Sequence, residues 1–336
     1  MVMVGLTALG WWATGGVYHP GESAVPPENL NIDAGPISPS GVLKVASWNI
    51  AWGYGWGSEG SGAPRGKDEI TSRIDQMAAI IKAIDADVIT LQEVDFDCKR
   101  SGFLDQAKRL ATSAGYPFVA PVVSWRAGYV PFPGGSPATW WGPMVSGGAI
   151  LSRLPIRNHR VVLFPKPAEN PAWYNAFYLG RYVQRIEVEK DGALIAVYNT
   201  HLEAFQKGSR MIQADQIREQ LEKDPVQHLI FAGDLNTALP EATTLFGYPD
   251  EPQTDHRGDT TLRVLRKVTG IQEAGDTGVN EAAGFTFPAH QPNRRLDHLL
   301  FRGPWRVARS QVYTAAGDLS DHLPIVVELT SAAAPL

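Results

Sequence analysis

From Gly41 onward the apolar residues keep two alternating rhythms. VLKVASWNI opens the pattern, and its β-branched and aromatic residues predict a strand running into a loop. In DEITSRIDQMAAIIKAIDAD, residues Ile70, Ile74, Met77, Ile81 and Ile84 return at spacings of four and three, which predicts one face of an amphipathic helix. DVITLQEV then reads as a buried strand. The alternation continues with helix-like LDQAKRLATSA, strand-like ALIAVYNT, helix-like SRMIQADQIREQLEKD and strand-like VQHLIFAGD. RLDHLLF, WRVARSQVY and LPIVVEL crowd further strands into the last third. Strands that alternate with helices early and cluster late predict an α/β (α+β) fold, with sheets packed between helices in one domain over residues 41–331.

Two stretches break the rhythm. Residues 1–17 include VMVGLTALGWWATGGV, an uncharged and mostly apolar run, and residues 18–40 are rich in Pro, Gly and Ser. They read as an export signal or short membrane anchor followed by a linker, which would put the protein outside the cytoplasm or at a membrane. Between Pro121 and Tyr182, aromatics such as Trp125, Tyr129, Trp140, Trp141 and Trp173 are mixed with Pro and Gly. Only VSGGAILSRLPI reads there as a core strand and turn, so the rest is expected to form two long loops, a common place for function. Their rings would form a rim for an apolar or membrane-embedded part of a substrate, pack the loops onto the core, or stack on unpaired bases.

Composition narrows this picture. With 44% hydrophobic and 19% charged residues the chain is globular, and its formal charge of −5 supplies no broad basic surface for wrapping duplex nucleic acid. Cys98 is the single cysteine, so an intrachain disulfide is excluded. No Cys/His spacing suggests a structural zinc site.

The candidate chemistry lies at the ends of the apolar runs. Glu93 in LQEV, Asp234 in FAGDLN and Asp321 in LSDHLPI are carboxylates where a rigid strand can hold an oxygen ligand beside a cleft; each taken singly also reads as a cap or turn residue. Asn49 in SWNI and Asn236 in GDLN can hold a phosphate oxygen without adding negative charge, and each singly reads as an Asx-turn. His201 in YNTHLE and His322 in SDHLPI can move protons near neutral pH, with Asp297 in RLDHLL as an orienting carboxylate. His298 is its neighbour, and strand neighbours point to opposite faces, so His298 falls outside the site.

SWNI, LQEV, GGAILSRLPI, YNTHLE, FAGDLN, RLDHLLF and SDHLPI, in that order, resemble the endonuclease/exonuclease/phosphatase superfamily over roughly Val42 to Leu329. The resemblance implies a four-layer sandwich, with two mixed β-sheets face to face and helices outside. It implies Mg²⁺, with Mn²⁺ as second choice, held among Asn49, Glu93, Asp234 and Asp321. Asp234 matches the aspartate that orients or deprotonates the attacking water, and Asn236 a phosphate-contacting asparagine. His322 matches the histidine at the phosphoryl group, with Asp297 orienting it, and His201 a general acid or oxyanion stabiliser. Arg181 in GRYVQRIEV matches a basic residue preceding a central strand. Ala51 stands where abasic-site endonucleases carry an acid, and the basic DNA-gripping segments of that branch are not found.

The expected activity is metal-dependent hydrolysis of a phosphoester, of small or lipid-linked substrates. A secreted or periplasmic endo- or exonuclease acting on nucleic acid is the alternative. An inactive binding protein that keeps the fold is a third reading.

Overall fold

Alternate residues of each central strand enter different cores, which is why these segments read as nearly unbroken apolar runs. The computed structural model describes residues 10, 12–55, 64–132, 136–275 and 281–331. Its strands are β1 (Gly21–Ala24), β2 (Glu28–Asn29), β3 (Val42–Asn49), β4 (Val88–Asp95), β5 (Phe118–Val130), β6 (Gly142–Ser152) and β7 (Arg157–Leu163). Then follow β8 (Tyr182–Lys190), β9 (Ala193–His201), β10 (His228–Asp234), β11 (Gln272–Ala274), β12 (Asp297–Arg302), β13 (Trp305–Val312) and β14 (Ile325–Ser331). The helices are α1 (Lys67–Ile84), α2 (Gln106–Ala114), α3 (Ala172–Phe177), α4 (Lys207–Lys223) and α5 (Thr261–Leu265).

The strands form two mixed seven-stranded sheets, ordered β1-β7-β8-β9-β10-β12-β11 and β13-β14-β3-β4-β6-β5-β2. Leu43 and Val45 of one sheet meet Ile195, Val197, Ile230 and Leu299 of the other in the central core. The intervening residues face outward. Ala46, Ile89 and Leu91 pack against Ile70, Ile74, Met77 and Ile81 of α1, while Tyr198, Leu229 and Phe231 pack against Ile217 and Leu221 of α4. Burying each such side chain contributes about 1.5–3 kcal/mol. The result is the expected four-layer sandwich, helix, sheet, sheet, helix.

The helix α1 ends at Asp85, whose left-handed backbone (φ 56°) closes the last turn. Asp105 caps α2 by accepting the Lys108 amide at 3.1 Å. In GGAILS, the two glycines are required by crowding: a Cβ on Gly148 would stand 1.8 Å from Tyr182 Oη, and one on Gly147 2.0 Å from Val122 O.

Two features differ from the sequence reading. The aromatic stretch after Pro121 is largely strand, because β5 runs on to Val130 and pairs with β6. Its register shifts between Val123 and Trp125 and again between Ala127 and Val130, and these irregularities spoil the alternation by which a strand is recognised. Further along, β7 and α3 replace most of the second expected loop. The segment 18–40 also carries structure: β1 adds to β7 at one sheet edge and β2 to β5 at the other. Residues 1–9 and 11 of the apolar N-terminal run lie outside the described residues. Among those described, no helix is long and apolar enough to cross a membrane.

A polar layer crosses the central core just beneath the strand ends. Gln92 Nε2 donates to Asn199 Oδ1 at 2.8 Å and to Ser47 Oγ at 3.2 Å. Asn199 Nδ2 donates in turn to Gln184 Oε1 at 3.0 Å, and Gln184 Nε2 to Ala120 O at 2.7 Å. Buried amides linked in this way favour a single register of one sheet over the other, with Gln92 Oε1 left without a partner among the described residues.

Candidate active site

Strand parity carries the polar residues to one place. Asn49 continues the inward series of Val45, His201 that of Val197, Asp234 that of Ile230, and Asp297 heads the series of Leu299. All four stand at strand ends at the same edge of the sandwich. Glu93 breaks parity by a β-bulge: Gln92 and Val94 pair with the adjacent Gly148 and Gly147, leaving Glu93 as the extra residue at φ 53°. Bulges beside active sites re-aim a side chain in this way.

Asn49 ties the cluster together. Its Nδ2 donates to Glu93 Oε1 (3.2 Å) and Asp234 Oδ2 (3.0 Å), while its Oδ1 accepts the Ala51 amide (3.0 Å). The Asx-turn and the site role are thus both met by one amide. Asp234 Oδ1 accepts the amide of Asn236, which holds a left-handed φ of 50° and donates through Nδ2 to Leu202 O. Asp234 Oδ2 lies 3.4 Å from His201 Nε2 and 3.7 Å from His322 Nε2. Asp297 Oδ2 accepts from His322 Nδ1 at 2.7 Å, which fixes the ring so that Nε2 faces Asp234.

The motif residues around these groups also have visible work. Trp48 Nε1 donates to His322 O (2.9 Å), and Ser320 Oγ donates to Asn49 O (2.6 Å) while receiving the His322 amide. SWNI and SDHLPI therefore pin each other's backbones. His298 points to the outer face, as parity required, and bonds Glu273 (3.1 Å) and Thr237 O (3.0 Å).

Electrostatics divide the two histidines. Burial, reinforced by Arg181 and His322, holds the His201 pKa well below the usual imidazole range, so its ring is neutral at pH 7. Burial would also lower His322, but Asp297, Asp234 and Asp321 outweigh it and hold His322 protonated. Burial raises Asp234 to about 7 against the opposing His322, with Asp297 adding to the rise. Asp321 is pushed up to about 6 by burial and by the Glu93 charge. Acids and imidazoles driven apart in this way are the pattern of a proton-handling site.

Two donor sets could take a cation. Asp234, Asp297 and His322 bring one ligand atom each within 4.8 Å of one another. Asp297 Oδ2 and His322 Nδ1 are taken up by their mutual hydrogen bond, and the ring is held protonated, which leaves His322 no lone pair for an ion and suits that set to moving protons. Glu93 and Asp321 line the cleft, and the rise of Asp321, due first to burial and then to the Glu93 charge, is one that a hard cation between them would oppose. The donor chemistry of Glu93, Asp321 and the neighbouring Asn49 and Asp234 therefore fits Mg²⁺ or Mn²⁺.

The cleft has a volume of about 580 Å³, with Glu93, His201, Asp234, Asn236, Asp321 and His322 at one end. Sequence reasoning named Arg181 only as a basic residue preceding a central strand, and it missed several of the cleft's other residues. Arg181 is 4% exposed, its Nε is 3.5 Å from Glu203 Oε2, and its Nη1 has no hydrogen-bond partner among the described residues. Glu203 accepts from Tyr178 Oη at 2.6 Å. Glu203 lies behind the cleft wall, two residues after His201, and reaches the cleft through Tyr178 and Arg181. Glu251 and Phe287 also line the cleft, and no local pattern announces them. Of the Trp pair, Trp141 lines the cleft while Trp140 packs on Tyr129.

Solved structures share this fold. An endonuclease/exonuclease/phosphatase from Beutenbergia cavernae superposes with a TM-score of 0.63 at 23% identity, over 88% of this chain and 73% of that one. A humanized D. rerio TDP2 gives 0.57 at 15% identity, over 87% and 100%. The mannosyl-6-phosphatase Bt3783 of Bacteroides thetaiotaomicron gives 0.57 at 16% identity, over 86% and 99%. At these identities the likeness is one of fold. No curated protein matches the chain by sequence. The pattern of the Endonuclease/Exonuclease/phosphatase family matches residues 46–322, spanning every strand end described above, and the chain belongs to that family.

Proposed function

We propose that the chain is a Mg²⁺-dependent hydrolase of phosphoester bonds that acts by direct attack of water. The carrying observation is the convergence of Glu93, His201, Asp234, Asp321 and His322, from separate strands and one loop, on a single cleft. Family membership supports phosphoester hydrolysis, and the donor set supports a divalent cation. A cation held by Glu93 and Asp321, with Asn49 and Asp234 beside it, would neutralise phosphoryl charge.

The chain's own residues supply the remainder. Asp234, fixed by Asn49 and the Asn236 amide, holds the water and accepts its proton as the new P–O bond forms. His322, kept cationic by Asp297, offers N–H to the phosphoryl oxygens, and Asn236 adds a neutral donor. His201 offers an uncharged N–H hydrogen bond to the leaving ester oxygen as its bond to phosphorus breaks, and that oxygen takes its proton from water. Arg181, whose Nη1 has no partner among the described residues, would offer a donor to a non-bridging oxygen.

Small or lipid-linked esters are the proposed substrates, in preference to polynucleotides, because the chain is acidic overall. The nuclease reading is favoured by one observation, the likeness to a D. rerio TDP2 complexed with a single strand DNA product. The apolar N-terminal run supports action outside the cytoplasm.

The test is a panel of plasmid DNA, RNA, sphingomyelin vesicles, inositol phosphates and bis(4-nitrophenyl) phosphate, each with Mg²⁺ and with chelator. Mg²⁺-dependent turnover of a small or lipid ester above that of DNA and RNA is expected. Full turnover by protein of nil metal content would remove the metal from the reading, and turnover of nucleic acid alone would replace it with the nuclease.

A further inference from the structure

Beyond the catalytic end, the cleft is walled by rings from several separate segments. Trp52 and Trp141 stand 6.0 Å apart by centroid, and Phe132 meets Trp141 edge-on at 4.7 Å. The Arg100 guanidinium lies 4.5 Å from the Trp52 ring and 4.4 Å from Trp141, and is itself locked onto Asp95 by two hydrogen bonds of 2.9 and 2.7 Å. This makes a rigid floor of rings and one neutralised cation. At the mouth, Trp173 is 71% exposed and Phe205 73% exposed, and both line the same cleft.

Large rings left in water beside a catalytic centre are costly unless a ligand covers them. Because this wall is continuous with His201 and Asp234, its occupant is the substituent of the molecule whose phosphoester sits among them. Its chemistry follows from the wall. Flat faces and ring edges predominate, with Val130 and Leu179 as minor aliphatic contributors, which favours a planar ring over an acyl chain. The two arginines on the cleft, Arg100 and Arg181, already face Asp95 and Glu203. Among the described residues, the open cationic donors that remain in the cleft, Arg181 Nη1 and His322, make no row along the ring wall that could follow a polynucleotide backbone.

We propose that this wall is a stacking subsite for one planar aromatic ring, so that the substrate is a small ring-bearing phosphoester. The inference rests on the phosphoesterase reading and narrows its substrate class.

The test is binding of phosphonates, which share a phosphoryl group and resist hydrolysis. Phenylphosphonate, cyclohexylphosphonate, hexylphosphonate and methylphosphonate are titrated into the full chain with Mg²⁺ by calorimetry. Phenylphosphonate should bind about five-fold tighter than its cyclohexyl counterpart, the scale of a ring–ring contact. Trp173→Leu and Phe205→Leu, which keep apolar area and remove the ring at exposed positions, should shrink that ratio below about two-fold while methylphosphonate affinity stays unchanged.

A thymidine 5′-phosphonate that binds tighter than phenylphosphonate marks a nucleoside as the source of the ring, and the reverse order marks an aryl ester. Hexylphosphonate binding tightest, or a phenyl preference that survives both substitutions, overturns the subsite. Failure of all the phosphonates, methylphosphonate included, overturns the phosphoesterase reading itself.

Discussion

Each sheet contains one pair of parallel strands joined by a crossover helix: β3–α1–β4 in one and β9–α4–β10 in the other. The helices have 18 and 17 residues, and each unit delivers two polar side chains at its strand ends, Asn49 with Glu93 and His201 with Asp234. The chemistry delivered differs. In the first unit the bulge lifts Glu93 out of the ladder and leaves it half-buried on the cleft. In the second, Asp234 stays in register opposite His201 and Asp297 and is 1% exposed. One unit thus presents a carboxylate a solvated cation can reach, and the other a dry carboxylate between two imidazoles. On the proposed mechanism, the same scaffold yields a charge-neutralising half and a proton-handling half, separated by one inserted residue.

The largest expected effect breaks that division. Glu93→Ala and Asp234→Ala should each lower kcat by about three orders of magnitude, since charge neutralisation and water positioning supply most of the rate. Only the Glu93 variant should recover when Mg²⁺ is raised, because it loses affinity for the ion. Kinetics across a Mg²⁺ titration check this, and equal recovery of both variants would erase the distinction between the halves.

A smaller effect sharpens the second half. Asp297→Asn should cost about 10–100-fold in kcat by releasing the His322 ring, whereas His322→Ala should cost about 10²–10⁴-fold. Asp297 acts through His322, so the double variant should be no slower than His322→Ala alone. The pH profile provides a second readout: without Asp297 the His322 pKa falls, and activity that needs the cationic ring is lost at lower pH than in the parent. Independent losses that multiply in the double variant would show that the 2.7 Å contact carries no coupling.

These contrasts also show what the sequence could and could not reveal. Period-2 and helical spacing exposed the central strands and α1, because residues buried on fixed faces must repeat. Parity separated Asp297 from His298 before any contact was known. The site converged because Asn49, His201 and Asp234 end regular strands, Asp297 opens one, and Asp321 and His322 lie just ahead of another. What escaped were features set by irregularity or by distant partners. The bulges of β5 hid a strand, and Arg181 gained its meaning from Glu203 and Tyr178, across another strand end and a loop. The edge strands β1 and β2 are too short to carry a pattern, and pairing with β7 and β5 defines them.

The smallest effect tests the two faces of β12, where Asp297 looks into the site and His298 looks out. Burial alone would raise Glu273, but His298, Arg295 and Arg266 together pull it down to about 2 from an ordinary 4.5. A carboxylate depressed in the fold stabilises it at pH values above its unfolded pKa, and that stabilisation fades as pH falls from about 4.5 through about 2. Glu273→Gln should therefore lower unfolding stability at pH 7 by about 1–3 kcal/mol, the cost of weakening a buried charged hydrogen bond. By pH 3 the difference between variant and parent should have narrowed. Turnover at pH 7 should stay within about two-fold of the parent, since neither Glu273 nor His298 lines the cleft. Denaturant unfolding at pH 7, 5 and 3 gives the first quantity and steady-state kinetics the second. A stability difference that is constant with pH would mean that the Glu273–His298 contact contributes packing and no charge, and a large loss of turnover would mean that the two faces of β12 are coupled through the strand.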